Sequence, residues 1–251
     1  MAELIKLSER VYYLLGEQET DRPFLYYIRG KNYSVAIDAG NSKSHVECFY
    51  NAIQKENMPL PQYTIITHWH WDHTFGIPYV HGETIASERT NQKLEEVSTW
   101  KWTLDEMKKR ELTGEDISFC NECIVKEYED LSEIKVMPAD ITISTITELN
   151  LGDLKLILIP RDSTHSRDAL FILCPEEKML FVGDADCEDH YEGEGKYNRD
   201  KLEAIIHFIE NIDFEIYLLG HDMPSNKEET LGYLREKSRI NPLCSQYYYE
   251  R

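Results

Sequence analysis

Ile65-Ile66-Thr67-His68-Trp69-His70-Trp71-Asp72-His73 decides how the rest of this 251-residue chain is read. Three histidines and an aspartate fall within six positions, directly after the β-branched run Tyr63-Thr64-Ile65-Ile66-Thr67. Such a run predicts a buried strand feeding a ligand-bearing loop. Side chains alternate in direction along a strand, so His68 and His70 can converge on one metal ion while the turn re-aims Asp72 and His73 at a second. Imidazole and carboxylate donors suit zinc, and iron or manganese are also compatible. The bland alternative is a histidine-rich solvated loop.

The pattern recurs outward from this stretch, which argues against the bland reading. Val35-Ala36-Ile37 ends in Asp38 and the turn Ala39-Gly40. The run from Leu154 to Pro160 is followed by His165, Met179 to Val182 by Gly183-Asp184, and Ile216 to Leu219 by Gly220-His221-Asp222. Histidines scattered at random would not all follow β-runs, so one shared site is implied. Around these runs the chain predicts an opening strand over residues 4–15, and a hairpin of 24–29 with 34–38 across Gly30-Lys31-Asn32. A helix through Val46, Phe49 and Ile53 is capped by Asn41 or Ser42, and a second helix is capped by Ser87. The β pattern returns as one run over Ile141 to Leu149, and 169–174 pairs with 179–182 as a hairpin. Asn198 caps a helix bearing Leu202, Ile205 and Ile209, and a capping box from Ser225 to Glu228 starts the last helix. Residues 238–251 read as a helical or irregular tail.

Residues 98–137 differ from their surroundings. They are charged and helical, with Trp100, Trp102, Leu104 and Met107 on one face, and read as an insertion in a single domain spanning 1–251. The segment is either a lid over the site or a solvated helical hairpin packed through its aromatics.

Composition narrows the partners. Asp plus Glu number 46 against 27 Lys plus Arg, a formal net charge of −19. So acidic a chain repels phosphate backbones, and its basic residues are interleaved with acids, which argues against a nucleic-acid partner and for a small-molecule substrate. No apolar run reaches the roughly 20 residues that span a bilayer, and Met1 to Lys6 lacks signal-peptide architecture. The expectation is a cytoplasmic protein without membrane partners, and homo-oligomerisation stays open. The cysteines Cys48, Cys120, Cys123, Cys174, Cys187 and Cys244 are scattered, so reduced thiols are expected. Cys120 and Cys123 have the spacing of a metal pair but lack the second pair that a structural zinc site needs.

In their order along the chain, these motifs resemble the metallo-β-lactamase-fold hydrolases. The His-x-His-x-Asp-His signature stands as His68, His70, Asp72 and His73, and later motifs match at His165, at Asp184 and at His221. The resemblance implies an α/β (α+β) fold, the four-layer αββα sandwich. It also implies two divalent metal ions: His68, His70 and His165 would hold the first, Asp72, His73 and His221 the second, with Asp184 bridging. Asp38 matches the family's strand-end acid, which supports ligands without binding metal. Two such ions can share a water and lower its pKa from 15.7 to about 7. Asp72 would help orient that hydroxide, a catalytic role beside its ligand role.

Departures from the family pattern bear on substrate. Antibiotic-hydrolysing lactamases often have cysteine where this chain has Asp184, so the set looks more like the family's thioester, lactone and phosphodiester hydrolases, and the expected reaction is hydrolysis of a small ester, thioester, lactone or amide. The third motif continues Ser166-Arg167-Asp168 instead of a Pro-Gly turn. Tyr191 and Tyr197 are candidate oxyanion donors, and Arg161 and Arg167 candidate carboxylate binders. A phosphodiesterase or nuclease of the same fold, and a non-catalytic metal-binding protein, are the alternatives.

Overall fold

Strands that are apolar on both faces need a core on each side. Leu170-Phe171-Ile172-Leu173-Cys174, buried at every position, is of that kind. The computed structural model, which describes residues 2–193 and 195–240, places such strands in two stacked sheets. The first contains, in spatial order, β1 (Leu4–Lys6), β2 (Val11–Leu14), β3 (Leu25–Arg29), β4 (Ser34–Ile37), β5 (Tyr63–Ile65), β6 (Glu83–Ser87) and β7 (Ile141–Ile143). The second runs from β8 (Thr147–Asn150) through β9 (Lys155–Pro160), β10 (Leu170–Cys174), β11 (Met179–Gly183) and β12 (Ile216–Leu219) to β13 (Ser225–Asn226).

Alternation then sorts the side chains. Val35, Ile37, Ile172 and Phe181 point into the core between the sheets. Ala36 points the other way, toward Phe49 and Ile53 of α1 (Lys43–Lys55). After the single turn α2 (Trp71–Thr74), α3 (Glu88–Val97) covers the same outer face through Leu94. The insertion contributes α4 (Leu104–Thr113) and α5 (Ser118–Glu127), and α6 (Arg199–Asn211) and α7 (Lys227–Ile240) close the far side over Phe171, Leu180 and Tyr217. The order is helix, sheet, sheet, helix, the four-layer αββα sandwich. Each fully buried leucine or isoleucine in these layers stabilises the fold by about 1.5–3 kcal/mol.

Three expectations shift in detail, and one open choice is decided. The opening strand is two strands, because Ser8 Oγ accepts from the Arg10 and Val11 amides (3.1 Å each) and turns the chain. The run over 141–149 is also two, with β7 ending the first sheet and β8 the second, so residues 144–146 carry the chain between layers. Ser42, not Asn41, caps α1, accepting from the His45 amide at 3.1 Å. The capping box of α7 sits one residue later than expected: Asn226 Oδ1 accepts from the Glu229 amide (2.9 Å) and Glu229 Oε2 from the Asn226 amide (3.3 Å). Ser225 is occupied instead, paired in β13 with Tyr217 and bonded to the Thr230 hydroxyl at 2.7 Å. The tail beyond Ile240, Cys244 included, lies outside the described residues.

The insertion is fastened beside the site. Arg22 holds Glu127, the last residue of α5, through Nε (3.1 Å) and Nη2 (2.6 Å), and Ser42 donates to the same carboxylate. Tyr128 donates to the Asn41 carbonyl at 2.9 Å. Its aromatics pack inward: Trp102 meets Phe75 at 5.0 Å, and the Arg110 guanidinium lies over Trp100 (4.5 Å) and Trp102 (4.7 Å). Those tryptophans build a small core with Trp71 and Ile124.

Candidate metal centre

β4 and β5 run parallel, as do β11 and β12, and the candidate site forms where their carboxyl ends meet. Backbone bonds join the sheets there: the Leu170 amide donates to the Thr67 carbonyl (2.7 Å) and the Phe24 amide to the Gly220 carbonyl (2.6 Å).

Asp38 organises the histidines around it. Its backbone takes a left-handed φ of 64°, which turns its carboxylate beneath the signature loop. That carboxylate accepts from the Thr67 amide (2.8 Å), the Thr67 hydroxyl (2.9 Å) and His73 Nδ1 (2.8 Å). With its proton given to Asp38, the Thr67 oxygen accepts from His68 Nδ1 at 3.1 Å. His165 Nδ1 donates to the Glu188 carbonyl at 2.8 Å. These bonds engage Nδ1 of His68, His73 and His165, so that Nε2 is the nitrogen each ring turns to the site and, in the neutral ring, the one free to bind a metal.

The donor atoms converge in two groups. His68 Nε2 lies 3.0 Å from His70 Nδ1, which lies 2.9 Å from His165 Nε2. The second group is Asp72, His73, Asp184 and His221, and within each group the ligand atoms lie within 4.8 Å of one another. Asp72 Oδ2 is 3.0 Å from Nε2 of both His73 and His221. Asp184 Oδ2 stands between the groups, 3.3 Å from His73, 3.4 Å from His221 and 3.8 Å from His165.

Charge and burial make the same demand. Burial, and then the neighbouring imidazoles, hold His68 and His70 well below the usual histidine range, which keeps them neutral as ligands must be. Burial also opposes charge on His73 and His221, yet the surrounding carboxylates outweigh it: His73 is raised well above its usual range, and His221 up to about 9. Burial disfavours the charged forms of Asp72 and Asp184 too, and the two imidazoles override it. Without an ion, protons on histidine neutralise the buried carboxylates; a divalent cation would replace them. Asp184 Oδ1 is buried with no hydrogen-bond partner, a lone acceptor that a cation would satisfy. Gly220 leaves the necessary room, since a Cβ there would sit 2.3 Å from Asp184 Oδ1 and 2.8 Å from His73 Cε1. The donor set therefore fits divalent metal.

All seven residues expected as ligands from the sequence come together, with Asp38 beneath them, although the route differs from expectation. β5 stops at Ile65, so His68 and His70 project from a loop and not from a strand, and Asp72 and His73 ride on α2. Trp71 packs away from the site as expected, but Trp69 stays beside it, 4.7 Å from the His70 ring. Tyr191 does not aim its hydroxyl at the donors: its ring lies along His70 (4.8 Å) and its hydroxyl donates to Cys120 Sγ at 3.5 Å. Tyr197 is 3% exposed and packs with Leu202 and Leu234, lining neither cleft described below. Arg161 lies over the Phe208 ring at 4.0 Å, and Arg167 is paired with Glu192 at 2.7 Å. Cys120 and Cys123 are buried free thiols in α5, the incidental reading. The sequence reading missed Thr67, the Glu188 carbonyl, and Asp21, whose Oδ1 lies 3.8 Å from His221 Nδ1. It also missed the buried His45 behind Gly40.

Two clefts reach the donors. One, of about 680 Å³, opens at His221 between Phe24, Phe119 and Met223. The other, of about 370 Å³, opens at His70 and His165 beside Trp69, Tyr191 and Arg167. The insertion contributes to both, Phe119 to the first and Gly114-Glu115 to the second.

The family model described as the metallo-beta-lactamase superfamily matches residues 21–221, a span that runs from Asp21 through every donor to His221. The chain belongs to the metallo-beta-lactamase superfamily. Solved structures of similar fold include a metallo-beta-lactamase from Pontibacter korlensis (18% identity, TM-score 0.65, covering 94% of this chain and 99% of that one). A metallo-beta-lactamase from Hirschia baltica matches at 17% identity and TM-score 0.60, covering 95% and 97%. The sec-alkylsulfatase Pisa1 from Pseudomonas sp. matches at 13% identity and TM-score 0.67, covering 96% of this chain and 41% of that one. At these identities the likeness establishes the fold. A search of curated proteins returned no match. Within the superfamily fold, the donors occupy the joined edge of the two sheets, and no helix among the described residues is long and apolar enough to cross a membrane.

Proposed function

We propose that this protein is a dinuclear metal-dependent hydrolase acting on a small ester, thioester, lactone or amide. The observation that carries the reading is the pair of donor groups sharing Asp184, whose Oδ2 lies 3.3–3.8 Å from histidines of both. His68, His70 and His165 would hold one ion, Asp72, His73 and His221 the other, and Asp184 both. Divalent ions, zinc above all for such donors, would supply Lewis acidity and hydroxide at neutral pH. The chain's own residues do the rest. Asp38 and Thr67 hold the imidazoles through Nδ1 of His73 and His68, and Asp72 would orient the attacking oxygen. The two clefts would give substrate access to the donors, with Phe119 and Gly114-Glu115 of the insertion in their walls.

The test is a hydrolysis screen of zinc-loaded protein with aryl ester, thioester, lactone, cephalosporin and bis(p-nitrophenyl) phosphate substrates. Turnover of an ester, thioester, lactone or amide supports the reading. Turnover of the phosphodiester alone would replace it with a phosphodiesterase, and inertness toward all of them would favour a non-catalytic metal-binding protein.

A further inference from the structure

The two clefts differ in charge. At the His221 cleft the acids Glu17, Asp21 and Asp222 accompany the apolar wall, and its one arginine, Arg22, is committed to Glu127. The cleft beside His70 and His165 is lined by Arg89, Lys93 and Arg167. Its acids are already engaged: Asp168 accepts from Ser166 and from the Thr90 hydroxyl (2.8 Å), and Asp189 from the amides of Tyr191 (3.0 Å) and Glu192 (2.8 Å). Glu192 pairs with Arg167 at 2.7 Å, and Glu115 accepts from the Thr113 hydroxyl at 2.7 Å.

Arg89 is the exception among these charges. It makes no ion pair among the described residues, in a chain with 46 acids to 27 bases. Its Nη1 donates to the Arg167 carbonyl at 2.9 Å, which holds the guanidinium at the cleft wall with its other donors unspent. Lys93 follows four residues later on α3, on the same helical face. It is placed over the Trp69 and Trp100 rings at 5.0 and 5.5 Å, and shared with Glu96 at 2.8 Å.

We propose that Arg89, supported by Lys93, binds a carboxylate of the substrate in the cleft beside His70 and His165. The planar guanidinium matches two carboxylate oxygens, and Lys93 adds a point charge. The apolar remainder of the substrate lies toward Phe24, Phe119 and Met223, with the scissile bond between the clefts at the donors. The proposal rests on the hydrolase reading for its turnover measurement and is independent of it for its binding measurement.

For binding, glutarate is titrated calorimetrically into zinc-loaded parent, Arg89→Ala and Arg89→Lys of equal metal content. The expected result is a Kd about tenfold weaker in Arg89→Ala and partly restored in Arg89→Lys. Equal Kd in all three, or no binding by the parent, overturns the proposal. For turnover, p-nitrophenyl hydrogen glutarate is compared with the uncharged p-nitrophenyl pentanoate. In Arg89→Ala the ratio of their kcat/KM values is expected to fall about tenfold toward the neutral ester, through the KM of the charged one. An unchanged ratio overturns the carboxylate site and leaves the hydrolase reading standing. Arg89-dependent glutarate binding without turnover of either ester supports the carboxylate site and removes the hydrolase reading.

Discussion

At the scale of single residues, the account turns on what holds the imidazoles. Asp38 reaches His73 directly and His68 through Thr67, so Asp38→Asn should lower metal affinity and turnover by about 10–100-fold while the fold persists. Metal titration with a chromophoric competitor checks this, and an unchanged affinity would count against the relay. Gly220→Ala should displace Asp184 Oδ1 and lose metal at unaltered circular dichroism, since a Cβ there meets that oxygen at 2.3 Å. His45 gives the pH prediction. Burial, with Arg22 nearby, lowers it from 6.5 to about 3 in the folded chain. Between those values the unfolded chain takes up a proton that the folded chain refuses, so stability falls as pH drops below 6.5, by about 1.4 kcal/mol per unit. In His45→Leu the loss between pH 6.5 and 5 should be about 2 kcal/mol smaller than in the parent, measured by urea unfolding; parallel curves would refute it. The seven donors were legible because each follows a β-run, and strand ends are where such folds place chemistry. Thr67, Asp21 and His45 were not, because no local pattern marks them: Thr67 takes its role from Asp38, 29 positions away, Asp21 from His221, and His45 from its burial.

At the scale of elements, the insertion is tied down and not loose. Glu127 is 2% exposed at its side chain and bonded by Arg22 and Ser42, and Tyr128 reaches Asn41. Glu127→Ala should cost about 3 kcal/mol, the low end for a broken buried pair because Arg22 keeps solvent access. Hydrogen exchange should then rise across residues 98–137, and unchanged protection there would contradict the anchoring. Elements with one clean period were readable from sequence: α1, α6 and the hairpin of β10 with β11 stand where the pattern puts them. The divided run of β7 and β8 was not. Both halves are β-rich, and only the pairing partners, β6 for one and β9 for the other, show that the chain changes sheets between them. The two functions weighed for the insertion merge in part: its tryptophans pack inward as a structural hairpin would, while Phe119 and Gly114-Glu115 line the clefts as a cover would.

At the scale of the whole molecule, two stacked sheets bring strand ends from both into one edge, and the superfamily fold follows from apolar runs that need burial on two faces. That edge gathers two groups of donors that share one carboxylate, and the claim on which the functional reading depends is that they hold two ions. The most direct test is elemental analysis of protein purified without chelator, for the parent and for His68→Ala and His221→Ala separately. The account predicts about two zinc or iron atoms per chain in the parent and fewer in each variant, with each variant striking a different donor group. A parent that binds no metal even when zinc is supplied, or variants that retain the full complement, would contradict it.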